Sequence, residues 1–296
     1  MTNRPISDGI SAERPLISVE FFPPKDEAGG EQIVAAAEEI RQTVAPDFVS
    51  ITYGAGGTTR ERTFRYACLL KDNCGFNVMP HLTCVGSSAE ELRNIAAEYY
   101  EAGFRNFMAL RGDPPKGAVN FTPHPEGLKQ GADLVRLLRE TYPEIGIGVA
   151  GYPEVHPEAI SAQSDLDFLK RKVDQGASFI TTQLFYDNQT YFDFVDRCRA
   201  AGIRQPIFPG LMPIFSATAA RRFAKSIPSE LDQMLQEAEG DTRATEAVGE
   251  EWTYRQVAEL LAFGVPGIHL YIMNRGYRAT GVIERLRRER LLPVRG

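Results

Sequence analysis

The sequence predicts an α/β protein, a closed (β/α)8 TIM barrel, and three observations lead there. Short apolar segments alternate with amphipathic segments eight times along 296 residues, with no run of neighbouring strands between them. Such alternation implies a parallel sheet, because parallel strands need crossover helices. Eight units at this chain length fit a barrel, and polar residues that sit badly in apolar strands fall at strand C-terminal ends, where barrels carry their chemistry. The alternative is a doubly wound open sheet. It predicts a Gly-rich phosphate loop after an early strand, and no GxGxxG occurs; Gly54-Ala55-Gly56-Gly57 is a turn of small residues.

The elements follow in order. Leu16–Phe22 reads as a strand stopped by Pro23-Pro24, and Glu31–Thr43 as a helix with Ile33, Val34, Ala37 and Ile40 on one face. The second strand is Asp47–Tyr53, with a helix near Arg60–Lys71; the third is Asn77–Thr83, with a helix Ser88–Ala102 opened by the cap pattern Ser88-Ala89-Glu90-Glu91. The fourth strand, Arg105–Leu110, precedes Arg111-Gly112-Asp113-Pro114-Pro115 and a helix Gly131–Thr141. The fifth, Ile145–Ala150, leads through Gly151–Glu158 to a helix Ser164–Gln175. The sixth is Phe179–Phe185 with helix Gln189–Ala201, and the seventh Pro206–Met212 with a helix beginning near Ala217. An extra helical stretch, Ser229–Glu237, and an acidic connection, Ala238–Glu250, come before the helix Glu251–Phe263. The eighth strand is Gly267–Met273, and Gly276–Arg288 closes the chain. Residues 1–14 are expected to form an N-terminal tail and 15–296 a single catalytic barrel domain.

Composition excludes several classes. A net charge of -6 and a pI near 5.4 argue against a nucleic-acid surface. The Arg285–Arg290 run is diluted by Glu284 and Glu289 and reads as a solvated helix face. Cys68, Cys74, Cys84 and Cys198 form no CxxC pair and no His/Cys cluster with metal spacing, so a reducing compartment is the simplest reading and no metal is expected. With no signal-peptide core and no apolar run of membrane length, a cytoplasmic protein with no membrane contact is expected.

The out-of-place polar residues are Glu20 on the first strand, Thr52 on the second, His81 on the third, Arg111 and Asp113 after the fourth, Tyr152 and His156 after the fifth, Gln183 on the sixth, and Asn274 and Arg275 after the eighth. Alternation puts residues i and i+2 on one face. Ser18 with Glu20, Ser50 with Thr52, Ala109 with Arg111 and Thr181 with Gln183 are read as lining the barrel mouth; Val19, Val49, Ile51, Met108 and Leu110 are read as packing under the outer helices. Blander readings stand beside these: His81 and His269 as core histidines, Arg111 and Asp113 as a structural ion pair, Gln183 as a backbone cap, Phe223 as core, and Arg171 and Lys172 as solvated helix cations. No nucleophile elbow, no HExxH and no strand-ending lysine occurs. A semi-buried acid, an Asp beside an Arg, amide and hydroxyl donors and aromatics suit a bound cofactor that does the redox step while the protein moves protons and orients the reactants.

Seven ordered motifs carry a family resemblance: Val19–Lys25, Phe48–Gly54, Pro80–Thr83, Ala109–Pro115, Tyr152–Glu158, Thr182–Phe185 and Met273–Arg275. Together they resemble methylenetetrahydrofolate reductase, of the bacterial single-domain type. The resemblance implies an FAD-dependent barrel in which NADH or NADPH reduces the flavin, leaves, and is replaced by methylenetetrahydrofolate, which is reduced to methyltetrahydrofolate for one-carbon metabolism and methionine supply. A homo-oligomer is expected on the same ground. Glu20 matches the family's acid, which protonates the folate; a free Glu has a pKa of about 4.3, so burial would have to raise it. Asp113 matches a residue near flavin and pterin, Gln183 and Arg275 match folate contacts, and Phe223 an aromatic that packs on folate or nicotinamide. Thr52, Tyr53, Ala55, His81, Arg111, Gly112, Tyr152, His156, Asp165, Arg171 and Lys172 match flavin contacts, and the two adjacent cations are expected to hold a diphosphate. The chain departs from the family's pattern at Gln130-Gly131, often Tyr-Ala, at Phe168, commonly Asn or His, and at Ala219, a Gln in some members. Two other classes stay open at this point: a metal-dependent barrel lyase or hydrolase using Glu20, His81, Asp113 and His156, and a non-catalytic folate- or flavin-binding barrel.

Overall fold

Nine strands, all paired in parallel, form the wall in the order β7-β6-β5-β4-β3-β2-β1-β9-β8 in the computed structural model, which describes residues 3–11, 14–53, 60–114 and 121–293. They are β1 (Leu16–Phe21), β2 (Phe48–Ile51), β3 (Val78–Thr83), β4 (Asn106–Leu110), β5 (Gly146–Gly151), β6 (Phe179–Thr182), β7 (Ile207–Phe208), β8 (Gly210–Leu211) and β9 (Gly267–Tyr271). The order names an open sheet, yet its two ends, β7 and β8, are separated in sequence by Pro209 alone. One staggered strand therefore closes the ring: β7 pairs with β6, β8 with β9, and the Pro209 carbonyl accepts the His269 N–H at 3.0 Å. The single seventh strand expected over Pro206–Met212 is split because proline has no N–H to continue the ladder. The (β/α)8 barrel is otherwise as the sequence predicts.

The helices α1 (Glu27–Thr43), α2 (Arg60–Asp72), α3 (Ala89–Glu101), α4 (Gly131–Thr141), α5 (Ala162–Asp174), α6 (Asn188–Ala200), α7 (Ala217–Phe223), α8 (Ser229–Glu237), α9 (Thr242–Phe263) and α10 (Tyr277–Arg288) surround it. The Ser88 pattern forms a full capping box: Ser88 Oγ accepts the Glu91 N–H and Glu91 Oε2 accepts the Ser88 N–H at 2.7 Å. The connection expected over Ala238–Glu250 is mostly helix, since α9 begins at Thr242 under an Asp241 cap that accepts from Arg243 and Ala244. Gly249 permits this, because a Cβ there would lie 1.9 Å from the Ile214 carbonyl oxygen. The sixth strand ends at Thr182 instead of Phe185, as its neighbour β7 stops at Phe208; Leu184 then turns into a satellite core with Met212, Leu231 and Leu235.

Strand alternation sorts the side chains. Val19, Phe21, Val49, Ile51, Ala109 and Ile180 pack outward under the helices in the main core, each large aliphatic contributing about 1.5–3 kcal/mol on burial. Leu16, Phe48, Met79, Met108, Phe179 and Phe208 fill the barrel floor. Gly148 makes room there, because a Cβ would meet Phe179 at 2.8 Å. The parity read for the fourth strand is thus reversed: Met108 and Leu110 face inward and Ala109 outward. Arg111 lies beyond the strand end and does not share its alternation. Residues 3–10, set outside the barrel by the sequence reading, cover its floor: Ile6 is buried, its N–H bonds Asn106 Oδ1 at 2.7 Å, and Asn106 Nδ2 bonds the Arg4 carbonyl at 2.8 Å.

Candidate active site

Above the apolar floor the inward positions turn polar, and Glu20 stands at their centre. Parallel register sets Glu20 of β1 beside Ser50 of β2 and Tyr271 of β9, and Ser18 beside His269. Glu20 is 6% exposed. Its Oε2 accepts a hydrogen bond from Ser50 Oγ at 3.0 Å and lies 3.2 Å from His81 Nε2 and 3.5 Å from His269 Nε2. Among the described residues no hydrogen-bond partner engages Oε1, which leaves that oxygen for a substrate.

Burial by itself pushes the Glu20 carboxyl up. The charge of His81, the polar contacts of His269 and His81, and the charge of His269 together outweigh it, and the net direction is well below the ordinary carboxylate range. The rise that burial was expected to produce is therefore overruled by two imidazoles, which favour the ionised carboxylate whenever they carry a proton. Tyr271 is pushed the other way, up, by burial and then by the Glu20 charge; its hydroxyl is turned from the carboxylate to the Thr182 carbonyl at 2.7 Å.

A second group collects past β4, β5 and β6. Arg111 makes a bidentate pair with Glu158, at 2.7 and 2.9 Å, and lies over the Phe121 ring. Gly112 takes a left-handed φ of 88°, and a Cβ there would press on Thr83 at 3.0 Å. Asp165, in the first turn of α5, accepts the His156 N–H at 3.0 Å, and the Tyr152 and His156 rings meet edge to face at 4.5 Å. Burial, reinforced by Asp113 and Asp165, pushes the Tyr152 hydroxyl up to about 12; burial pushes His156 down. Arg171 and Lys172 diverge, as neighbours on a helix must. Arg171 is exposed beside the Phe168 ring, while Lys172 turns inward and donates to the Ala150 carbonyl. Burial holds the Lys172 ammonium down at about 8, with Asp165 opposing. The solvated reading of Lys172 is corrected by its buried charge.

The remaining expected residues lie around the mouth. Thr52 follows β2, with its N–H on the Phe21 carbonyl at 3.0 Å, and burial raises the half-buried Tyr53 phenol. Asp113, Gln183, Phe223 and Arg275 are exposed, and none of them touches Glu20. The core reading of Phe223 fails because it ends the short α7 helix facing solvent, 42% exposed. Ala55 lies outside the described residues, as do Gly54 to Thr59 and Pro115. Sequence reasoning put Ser50 at the barrel mouth without a role and read His269 as a core histidine; the signal that brings both onto Glu20 is strand parity carried across the β1–β2 and β1–β9 registers. Asn274 proves to be a clip. Its side chain accepts the Phe22 N–H and donates to the Phe22 carbonyl, both at 2.8 Å, holding the Pro23-Pro24 turn against the end of β9.

The donor set around Arg111, His156 and Lys172 fits a large anionic cofactor. Lys172 is a half-buried cation turned onto a neutral carbonyl, and an anion there would offset its desolvation. Among the described residues no helix is long and apolar enough to cross a membrane.

The family model for methylenetetrahydrofolate reductase matches residues 6–287. The chain is 40% identical over 274 residues to the 5,10-methylenetetrahydrofolate reductase of Escherichia coli strain K12, covering 91% of this chain and 90% of that protein. It is 38% identical over 283 residues to methylenetetrahydrofolate reductase (NADH) 1 of Arabidopsis thaliana, covering 91% of this chain and 48% of the plant protein. Among solved structures, an uncharacterized Clostridium thermocellum protein that binds two copies of 5-methyl-5,6,7,8-tetrahydrofolic acid superposes with a TM-score of 0.59 at 16% identity, over 92% of this chain and 93% of that one. At that identity the superposition speaks for the fold.

Proposed function

We propose, from the premise that this chain belongs to the methylenetetrahydrofolate reductase family, that it reduces methylenetetrahydrofolate to methyltetrahydrofolate with NADH or NADPH as electron donor and FAD as cofactor. The observation that carries the reading is Glu20: a carboxyl with one oxygen bonded by Ser50 and faced by two imidazole nitrogens, and the other oxygen open, on the inner face of a barrel strand. When bound, FAD would supply the hydride chemistry between the nicotinamide and the folate's methylene carbon.

The chain's own residues do the rest. Glu20 donates a proton to the folate nitrogen, opening the imidazolidine ring to an electrophilic iminium. The imidazoles of His81 and His269, at 3.2 and 3.5 Å from its Oε2, are the groups placed to return that proton. Asp113 would act beside the flavin and the pterin when they are bound. Gln183, Phe223 and Arg275 hold the folate; their exposure on the rim suits groups that close on a ligand. Lys172, Arg111 and Arg171 would take the cofactor's diphosphate, and Thr52, Tyr53, His81, Gly112, Tyr152, His156 and Asp165 would contact the rest of it. For Arg111 this means exchanging or sharing the Glu158 carboxylate.

The test is the absorption spectrum of the purified protein. It should be yellow, bleached by NADH or NADPH, and recoloured by methylenetetrahydrofolate. A colourless protein that takes up no added FAD overturns the reading.

A further inference from the structure

We propose that Ser18 and His269 form a proton-holding relay behind Glu20, with His269 as a positioning residue whose tautomer Ser18 sets. The catalytic meaning of this relay rests on the reductase reading; the placement of the proton does not.

Ser18 Oγ lies 3.1 Å from the Ile268 carbonyl oxygen and 2.8 Å from His269 Nδ1. The hydroxyl has one hydrogen and the carbonyl can only accept, so both contacts are satisfied together only when that hydrogen goes to Ile268 and Nδ1 donates to Ser18. That arrangement puts the N–H of a neutral His269 on Nδ1. The ring cannot turn away: it is 1% exposed, stacked on Phe48 with planes 16° apart, and met edge-on by Tyr271 at 5.1 Å. Its Nε2 is sealed from solvent and faces Glu20 Oε2 at 3.5 Å.

A neutral His269 thus presents a bare lone pair to a carboxylate oxygen in a buried space, where an unpartnered polar atom is destabilising. One proton between the two atoms removes that cost. It sits on Nε2 beside a carboxylate, or on Oε2 beside a neutral ring. The groups facing this pair are His81 from β3, at 3.2 Å from the same oxygen, Ser50 from β2 as a donor, and Tyr271 from β9, whose hydroxyl is committed to Thr182. Tyr152, after β5, acts on Tyr271 from further out.

In the working step the Nε2–H bond breaks and an O–H bond forms at Oε2, leaving His269 neutral and Glu20 a carboxylic acid. Rotation of the carboxyl presents that oxygen to the mouth. The O–H bond then breaks as the folate nitrogen takes the proton, and Glu20 ends as a carboxylate. One proton moves and charge is conserved.

The experiment is nitrogen-15 NMR of the histidine-labelled full chain without cofactor, together with the folate half-reaction followed by stopped flow across pH. His269 should show a protonated Nδ1 at every pH at which the protein is folded. Ser18→Ala should shift the neutral ring toward the Nε2–H form. His269→Gln can donate to Oε2 but cannot pass a proton, so the folate half-reaction should fall at least about 10²-fold, as loss of a general acid does, with its pH profile displaced. A wild-type ring with bare Nδ1 overturns the proposal, as does a Ser18→Ala spectrum identical to the wild type. A His269→Gln enzyme with the wild-type rate and pH profile shows a merely structural donor and overturns it too. If the wild type reduces no methylenetetrahydrofolate, the reductase reading falls, and the nitrogen spectrum still decides the relay.

Discussion

Replacing Glu20 by Gln keeps the side chain's length and its acceptor for Ser50 while removing the carboxyl that, on the proposed reading, passes a proton to the folate. General acid catalysis is worth about 10²–10⁴ in rate, and the folate half-reaction should fall by that factor. Flavin reduction by the nicotinamide needs no proton from this position and should proceed. Stability adds a second readout. Glu20 has a folded pKa below its ordinary value, so it contributes stability that is present above the unfolded pKa, about 4.5, and is lost as pH falls through the folded pKa. Below about pH 4.5 the wild type should therefore lose stability more steeply than Glu20→Gln. The assays are stopped-flow spectroscopy of each half-reaction and urea unfolding from pH 3 to 8. Equal loss of both half-reactions, or identical acid limbs of stability, would refute the reasoning.

Lys172 supplies a basic-side counterpart. Its folded pKa is held down near 8, so the unfolded chain binds the extra proton between about 8 and 10.5, and stability rises with pH across that window; Lys172→Met should flatten the rise in a denaturant series. An anion bound beside Lys172 restores its proton, so calorimetry of FAD binding in buffers of different ionisation enthalpy near pH 8.5 should report proton uptake in the wild type and less in Lys172→Met. Asn274→Ala removes two hydrogen bonds to Phe22 and puts alanine at a φ of 56°, for a loss of about 2–4 kcal/mol in urea unfolding. Gly249→Ala should cost about 1–3 kcal/mol or more by the same measurement, despite alanine's better helix propensity, because its Cβ meets the Ile214 backbone.

Much of the architecture is legible before any coordinates. The short apolar strands at Leu16–Phe21 and Val78–Thr83, the period of the helices between them, and the Ser88–Glu91 cap all appear where local chemistry puts them. The misses share a cause. Met108 and Ala109 exchange faces because a polar residue beyond the strand end was used to set the strand's phase. Thr242 to Glu250 reads as a connection because its helix is held by Asp241 and by contact with Ile214, and not by a clean apolar stripe.

The sequence by itself determined that Glu20 points into the barrel, since alternation along six residues places it on the face of Ser18. It did not determine what Glu20 meets there. Ser50, His81 and His269 arrive from three other strands, the last separated from Ser18 by 251 positions, and only the closed parallel register brings them onto one oxygen. Burial and opposite charge pull a carboxyl's pKa in opposite directions, and the winner depends on distances of a few ångströms across strands. Tertiary structure sets those distances, and with them where the proton lies.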